Sequence, residues 1–438
     1  MTKRHTTNFH LISFVAFLMY LNFAPQRIEL ALTGKLAQFP FPFAWLSVSF
    51  LFLLLDSLII KREYLFDQRI RKFTSMVFLL AAIHTFLFCI NTLVDDSHEK
   101  GTWFRFLSMT YIYVPILAAI YVYLITDSIT RFNLLLKIFF LIICGQVIVG
   151  FLMLLFPSYL VDLMGWEGAE YYSAIRSYSS IIGGTGPLAF LFLISLPLCL
   201  FYYMQRGTSY LILLGVLLVS LLLTYSRGPL FIAFLYIITM CLTLLIRYPG
   251  TYAYKKFFAL VILATVIVVI SVTGILHLDT DYLFRSDLGN ADSDRIESAQ
   301  TALALAANKP ILGYGPGELY TRHYEQSEEK HISLFGKHSL KTPHSLYLLL
   351  AAENGFIFLI LWMVFLSIPI KLISSGNNKP LAYKLLSMSF VSLIILAYIY
   401  SIFTDQLVTQ YRMIPTFWFL VGLGMAFSKL ISQADLMR

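Results

Sequence analysis

Apolar runs long enough to cross a bilayer recur along this whole chain, and no other feature constrains its fold as much. A spanning helix needs roughly 17–25 predominantly apolar residues. Twelve stretches read as spans: about 10–24, 41–60, 74–94, 106–126, 138–156, 181–203, 209–225, 229–246, 257–276, 345–370, 386–403 and 413–430. The first is short and flanked by Pro25, and no Ala-x-Ala-type site follows it, so it reads as an anchor and not as a cleaved signal peptide. Composition agrees: 58% of residues are hydrophobic and 13% charged, against about 25% charge in a soluble domain. The expected fold is an all-α integral membrane protein of about twelve transmembrane helices, one polytopic domain over residues 1–438. There is no Gly, Ser or Pro-rich linker and no evident internal repeat.

Lysine and arginine in the loops set the expected orientation. Eighteen of the 32 fall in one alternating set of loops, which includes Lys61, Arg62, Arg69, Arg71 and Lys72. Of the other fourteen, seven lie in the single long segment 277–343, and long segments count less in this rule. Both termini are therefore expected in the cytoplasm, with Arg227, His344 and 277–343 on the opposite side. The net charge of +8 follows from this loop bias. No basic cluster sits on a soluble domain, so nucleic acid is not an expected partner. Cys89, Cys144, Cys199 and Cys241 all fall in expected spans and read as small buried apolar side chains.

Charge at a membrane boundary is costly and by default marks function. Two positions stand out. Arg227 sits in Tyr225-Ser226-Arg227-Gly228-Pro229 between two apolar runs, and His344 opens the run Pro343-His344-Ser345-Leu346-Tyr347. Pro343 suits a helix beginning there, with Ser345 and Tyr347 keeping the first turn polar. His344 could equally be a headgroup-level polar residue. Glu353 lies nine residues on, about 180° round a helix, and reads as a buried packing or hydrogen-bonding group. His84 reads as structural.

The long segment has its own signals. Asp294 and Glu297 resemble an N-cap and its partner. A helix follows from Arg295 to Asn308, with Ile296, Ala299, Leu303 and Ala307 on one face and Lys309-Pro310 as its stop. Arg295 in the first turn could hold an anion or pair with Asp292 or Glu297. Gly313-Tyr314-Gly315-Pro316-Gly317 could bring backbone close to a ligand or be an ordinary turn. Asp279-x-Asp281 and Asp292-x-Asp294 match a metal-binding spelling that is common by chance, and no metal site is expected. Trp166, Tyr171, Tyr172 and Tyr178 in the loop 157–180 suit headgroup anchoring or stacking on sugars.

The order of these motifs resembles the O-antigen polymerase and O-antigen ligase superfamily: Ser226-Arg227-Gly228, then an Arg in an outside loop, then Pro310-x-x-Gly313-x-Gly315, then His344-Ser345-x-x-Leu348 and Glu353-x-Gly355. The family often has Asn after the His, where this chain has Ser345, and a further Gly where it has Phe358. The resemblance implies a GT-C-like glycosyltransferase of the bacterial inner membrane with one long periplasmic loop. Its donor would be a glycan on undecaprenyl diphosphate and its acceptor a glycan on lipid. A chain-length regulator protein is a further partner the resemblance allows, and no cofactor is implied. Arg227 and Arg295 would hold the leaving diphosphate, and His344 would take the acceptor's proton. Arg176, Tyr314 and Tyr347 would bind substrate. A polymerase is favoured over a ligase by the 16% aromatic content. A lipid-linked oligosaccharide flippase is the reading from another class, set back by the absence of repeats and interrupted midplane helices.

Overall fold

The computed structural model describes residues 3–23, 41–60, 67–94, 99–156, 185–206, 208–224, 226–247, 291–316, 344–374, 381–404 and 413–436. Twelve helices lie among them: α1 Lys3–Phe23, α2 Phe41–Ile60, α3 Gln68–Val94, α4 Glu99–Ile125, α5 Ile129–Leu155, α6 Thr185–Arg206, α7 Thr208–Leu223, α8 Arg227–Arg247, α9 Ala291–Asn308, α10 Leu346–Ser374, α11 Leu381–Tyr400 and α12 Ile414–Leu436. Eleven coincide with expected spans, and α9 is the helix expected in the long loop. The expected span 257–276 lies outside the described residues. Among the described residues six stretches are long and apolar enough to cross a membrane: Gln68–Ile90, Ile129–Leu155, Thr185–Gln205, Leu346–Ser374, Ala382–Tyr400 and Ile414–Gln433. Shorter apolar stretches occupy α1, α2, α4, α7 and α8.

The chain forms two compact units. The first comprises Met1–Phe139, Gly289–Asn377 and Ser401–Arg438. Its centre is α12, buried at every position from 413 to 431. This helix lies against α4 so closely that a Cβ on Gly422 would come inside 3.0 Å of the Ala119 backbone, an approach that small residues permit between membrane helices. Aromatic rings fill the surrounding space. Phe14 stacks on Tyr121 with ring centres 5.0 Å apart, and Phe365 lies 5.2 Å from Phe73 and 5.7 Å from Trp418.

Several loop cations of the first unit have structural partners. Buried Lys429 donates to the Tyr123 carbonyl (3.0 Å) and stands 4.4 Å from the centre of its ring. Arg131 donates to the Ile125 carbonyl (3.4 Å) and to Asp127 (2.6 Å). Both carbonyls belong to the last turn of α4, where unpaired C=O groups and the helix dipole favour a cation.

The second unit comprises Phe140–Leu288 and Asn378–Tyr400. Here α6 is central and packs against α7, α8 and α11. Phe190 of α6 stacks on Tyr400 at 5.3 Å, and Tyr202 on Tyr210 at 5.1 Å. On α8, Phe231, Phe234, Leu235, Ile238 and Leu242 are exposed, an apolar face suited to lipid. The cysteines correct one expectation: Cys199 is buried, but Cys89 and Cys144 are exposed. Both sit on helices whose outer faces are apolar, so exposure there means contact with a bilayer and not with water.

Candidate functional site

Arg227 is the first residue of α8 and is exposed. The turn before it is held locally. Thr224 hydroxyl donates to the Leu221 carbonyl (2.6 Å), and Ser226 N–H donates to the Thr224 hydroxyl (3.3 Å). Ser226 C=O then accepts from Leu230 N–H (3.2 Å). The guanidinium is left at a helix amino end. A cation is disfavoured there by the dipole. Among the described residues no carboxylate forms an ion pair with it. An unfavourable placement of this kind makes sense where an anion arrives from outside the fold. A Cβ on Gly228 would stand 3.7 Å from the Tyr400 ring, an ordinary van der Waals distance.

His344 is exposed and has φ +46°, the one positive φ outside glycine among the described residues. Helix α10 begins after it, at Leu346. Buried Ser345 is the cap: its hydroxyl accepts from Leu348 N–H (3.5 Å), and its carbonyl from Leu349 N–H (3.0 Å). Leu346 N–H is shared between the carbonyls of Ser401 (3.0 Å) and Thr404 (3.2 Å). The imidazole is thus carried just ahead of a helix start that is held by these bonds. Since His344 precedes the helix, the helical angle between it and Glu353 expected from sequence does not apply. Ser and Asn are both strong amino-end caps, so Ser345 preserves a capping role where the superfamily often has Asn. Tyr347 follows in the first turn, half-buried.

The two glycine motifs, forty residues apart in sequence, are one structure. Tyr314 N–H donates to the Ala352 carbonyl (3.1 Å), Gly315 N–H to the Glu353 carbonyl (2.7 Å) and Phe356 N–H to the Pro310 carbonyl (2.8 Å). This backbone clasp fits at a break in α10, where Gly355 adopts φ +78°, ψ +169°. A Cβ on Gly313 would fall inside 3.0 Å of Glu353 backbone, and one on Gly355 inside 3.0 Å of Ile311 backbone. The Gly-rich stretch is therefore neither a free turn nor, at Gly313, a ligand cradle. It is bound to α10. Glu353 is buried, 1% exposed, in line with its expected packing role. Tyr314 stands beside the clasp with the Lys309 ammonium 4.5 Å from its ring centre.

Helix α9 begins at Ala291, about a turn before the cap expected at Asp294. Asp292 and Asp294 then fall in the first turn, where acidic residues suit the dipole. The helix packs on α10 through Ser298, Ala302, Leu305 and Ala306, which are buried. Position 295 belongs by register to this same stripe, at intervals of three, seven and ten residues. His84, read as structural, is buried with Nδ1 3.1 Å from the Tyr113 hydroxyl. Arg176, the aromatic loop 157–180 and the Asp279-x-Asp281 pair lie outside the described residues. Of the expected site residues, His344, Tyr347, Tyr314 and Arg295 belong to the first unit, joined through the clasp and the packing of α9 on α10, while Arg227 belongs to the second. The clasp itself was missed in the sequence. Its only trace there is the pair of short glycine motifs.

The described residues define an all-α, multi-pass membrane protein in which Arg227 and His344 stand at helix starts. Residues 211–363, from α7 into α10, match the O-antigen ligase family model, the same stretch that carries the motifs of the resemblance. No curated relative matches the chain.

Proposed function

We propose that this protein is a glycosyltransferase that polymerises oligosaccharide repeat units carried on undecaprenyl diphosphate, at the periplasmic face of the inner membrane. The observation that carries this reading is that the matched stretch, 211–363, contains Arg227, Arg295, Tyr314, His344 and Tyr347. In this reading a hydroxyl of the acceptor sugar attacks the anomeric carbon of the donor glycan. The new C–O bond forms as the bond to the lipid diphosphate breaks, with inversion. The hydroxyl proton passes to the His344 imidazole, and charge growing on the diphosphate is met by Arg227 and Arg295. The planar fork of arginine suits the two phosphates bidentately, and the arginines take the role a divalent cation has in other glycosyl transfers. An exposed Arg227 at a helix amino end, with no ion pair among the described residues, and an exposed His344 just ahead of a capped helix support these roles.

The second reading is an O-antigen ligase, which transfers the same glycan to lipid A-core. It is favoured by the description of the matching family. Purified protein supplied with undecaprenyl-diphosphate-linked repeat alone separates the two. A ladder of products supports the polymerase. Product that forms only after lipid A-core is added supports the ligase. Inactivity with both acceptors would sink the glycosyltransferase reading.

A further inference from the structure

Helix α9 has two apolar faces, and only one of them is buried. Ser298, Ala302, Leu305 and Ala306 pack inward. On the opposite side Ile296, Gln300, Leu303, Ala304 and Ala307 form a second stripe, all of them exposed. The chain continues this stripe through Ile311 and Leu312. Ile296, Leu303, Ile311 and Leu312 are 59%, 54%, 61% and 47% exposed, too much contiguous aliphatic surface to be left in water without a reason.

What covers it follows from α10. No residue from 346 to 355 is exposed. Beyond the break at Gly355 the pattern changes abruptly, and Phe356, Ile357, Ile360, Met363 and Val364 are all exposed. This is the outer face of a candidate membrane span. Residues 356–374 alone would run about 28 Å as helix, close to the thickness of a bilayer's hydrocarbon core. A span that begins at the break in α10 is therefore long enough by itself. The clasp is bonded there, with Phe356 N–H on the Pro310 carbonyl (2.8 Å) and Gly355 against Ile311. Ile311 and Leu312 thus join the lipid-facing surface of α10 without a gap, and the outer stripe of α9 extends it.

We propose that the outer face of α9, with Ile311 and Leu312, is an interfacial membrane surface: α9 lies along the bilayer with this stripe among lipid acyl chains, docked to α10 by the clasp. An isolated interfacial helix is polar on the side away from the lipid; here that side is packed on α10, and the charged residues lie toward the two ends, at Asp292 to Glu297 and at Lys309. The inference does not depend on the reaction proposed above or on which leaflet is involved.

Fluorescence quenching in nanodiscs tests it. In a background with the four cysteines replaced by serine, a bimane label is placed at Ile296→Cys, Leu303→Cys, Ile311→Cys and, as the reference off the stripe, Asn308→Cys. Lipid carrying a nitroxide near the top of the acyl chain should roughly halve the emission at 296, 303 and 311 while aqueous iodide has little effect, as for a helix sunk to the acyl boundary. Asn308→Cys should show the reverse. Iodide quenching at 303 and 311 as strong as at 308 would overturn the proposal, and so would insensitivity to both quenchers, which would mean that protein covers the face. Lipid quenching relieved by added undecaprenyl phosphate would reassign the stripe to an isoprenoid chain and away from the bilayer.

Discussion

Gly313 and Gly355 each face the backbone of the segment that carries the other: a Cβ on the first meets the Glu353 backbone, and a Cβ on the second meets the Ile311 backbone. Their φ values, +64° and +78°, would strain any residue with a Cβ as well. Gly313→Ala and Gly355→Ala should therefore each destabilise the protein by about 1–3 kcal/mol from backbone conformation alone, with the clash added. Both act on one clasp, so the double variant should lose less than the sum. Thermal unfolding in detergent measures this. Single-variant midpoints equal to that of the parent would refute the clasp.

A smaller effect is expected at the start of α10. Ser345→Ala removes the cap on Leu348 N–H and should cost about 1 kcal/mol. Ser345→Asn should keep the midpoint within error, since Asn caps equally well. Equal losses in both variants would mean that Ser345 acts by packing and not as a cap.

Most of the helices were legible in the sequence because the bilayer imposes one simple demand, a long apolar run, and eleven such runs became helices. The site was less legible, for a definite reason. Arg227 and His344 announce themselves as polar residues where apolar ones are expected. The clasp uses only backbone atoms, so no side-chain chemistry marks it, and its halves lie forty residues apart. The outward stripe of α9 shows a related limit. Ile296, Ala299, Leu303 and Ala307 were identified as one face, but periodicity cannot say whether an apolar face turns to protein or to lipid. Here the inward face is the other one, and the small residues Ser298, Ala302 and Ala306 give it little hydrophobic signal.

Arg227→Ala should abolish glycan transfer while leaving the protein in the membrane, because its guanidinium is exposed and has no ion-pair partner among the described residues. Arg227→Lys should lose most activity as well, since an ammonium cannot replace the bidentate fork. Arg295 variants should follow with smaller losses. Initial rates with lipid-diphosphate-linked donor decide the matter. Normal turnover of both lysine variants would remove the diphosphate clamp.

Chelation probes how that charge is met. If the arginines do the work, excess EDTA should leave the transfer rate unchanged. Loss of activity that Mg²⁺ or Mn²⁺ restores would bring Asp292 and Asp294 forward as ligands.

His344 offers a test in which stability and activity move apart. Its φ of +46° lies in the left-handed region, which costs a residue with a Cβ roughly 1–2 kcal/mol and costs glycine almost nothing. His344→Gly should therefore unfold no earlier than the parent, and a rise in midpoint is the expected direction. The same variant should lose transfer activity, by roughly 10²–10⁴-fold if the imidazole is the general base. Strain kept at a position where glycine would relieve it is what a functional side chain leaves behind. His344→Gln then separates the two roles open to the ring, since it can hydrogen-bond to the acceptor hydroxyl but cannot accept its proton. Near-normal turnover in that variant would make His344 a positioning residue. Loss of activity in both, with donor binding intact because Arg227 and Arg295 are untouched, would support His344 as the base.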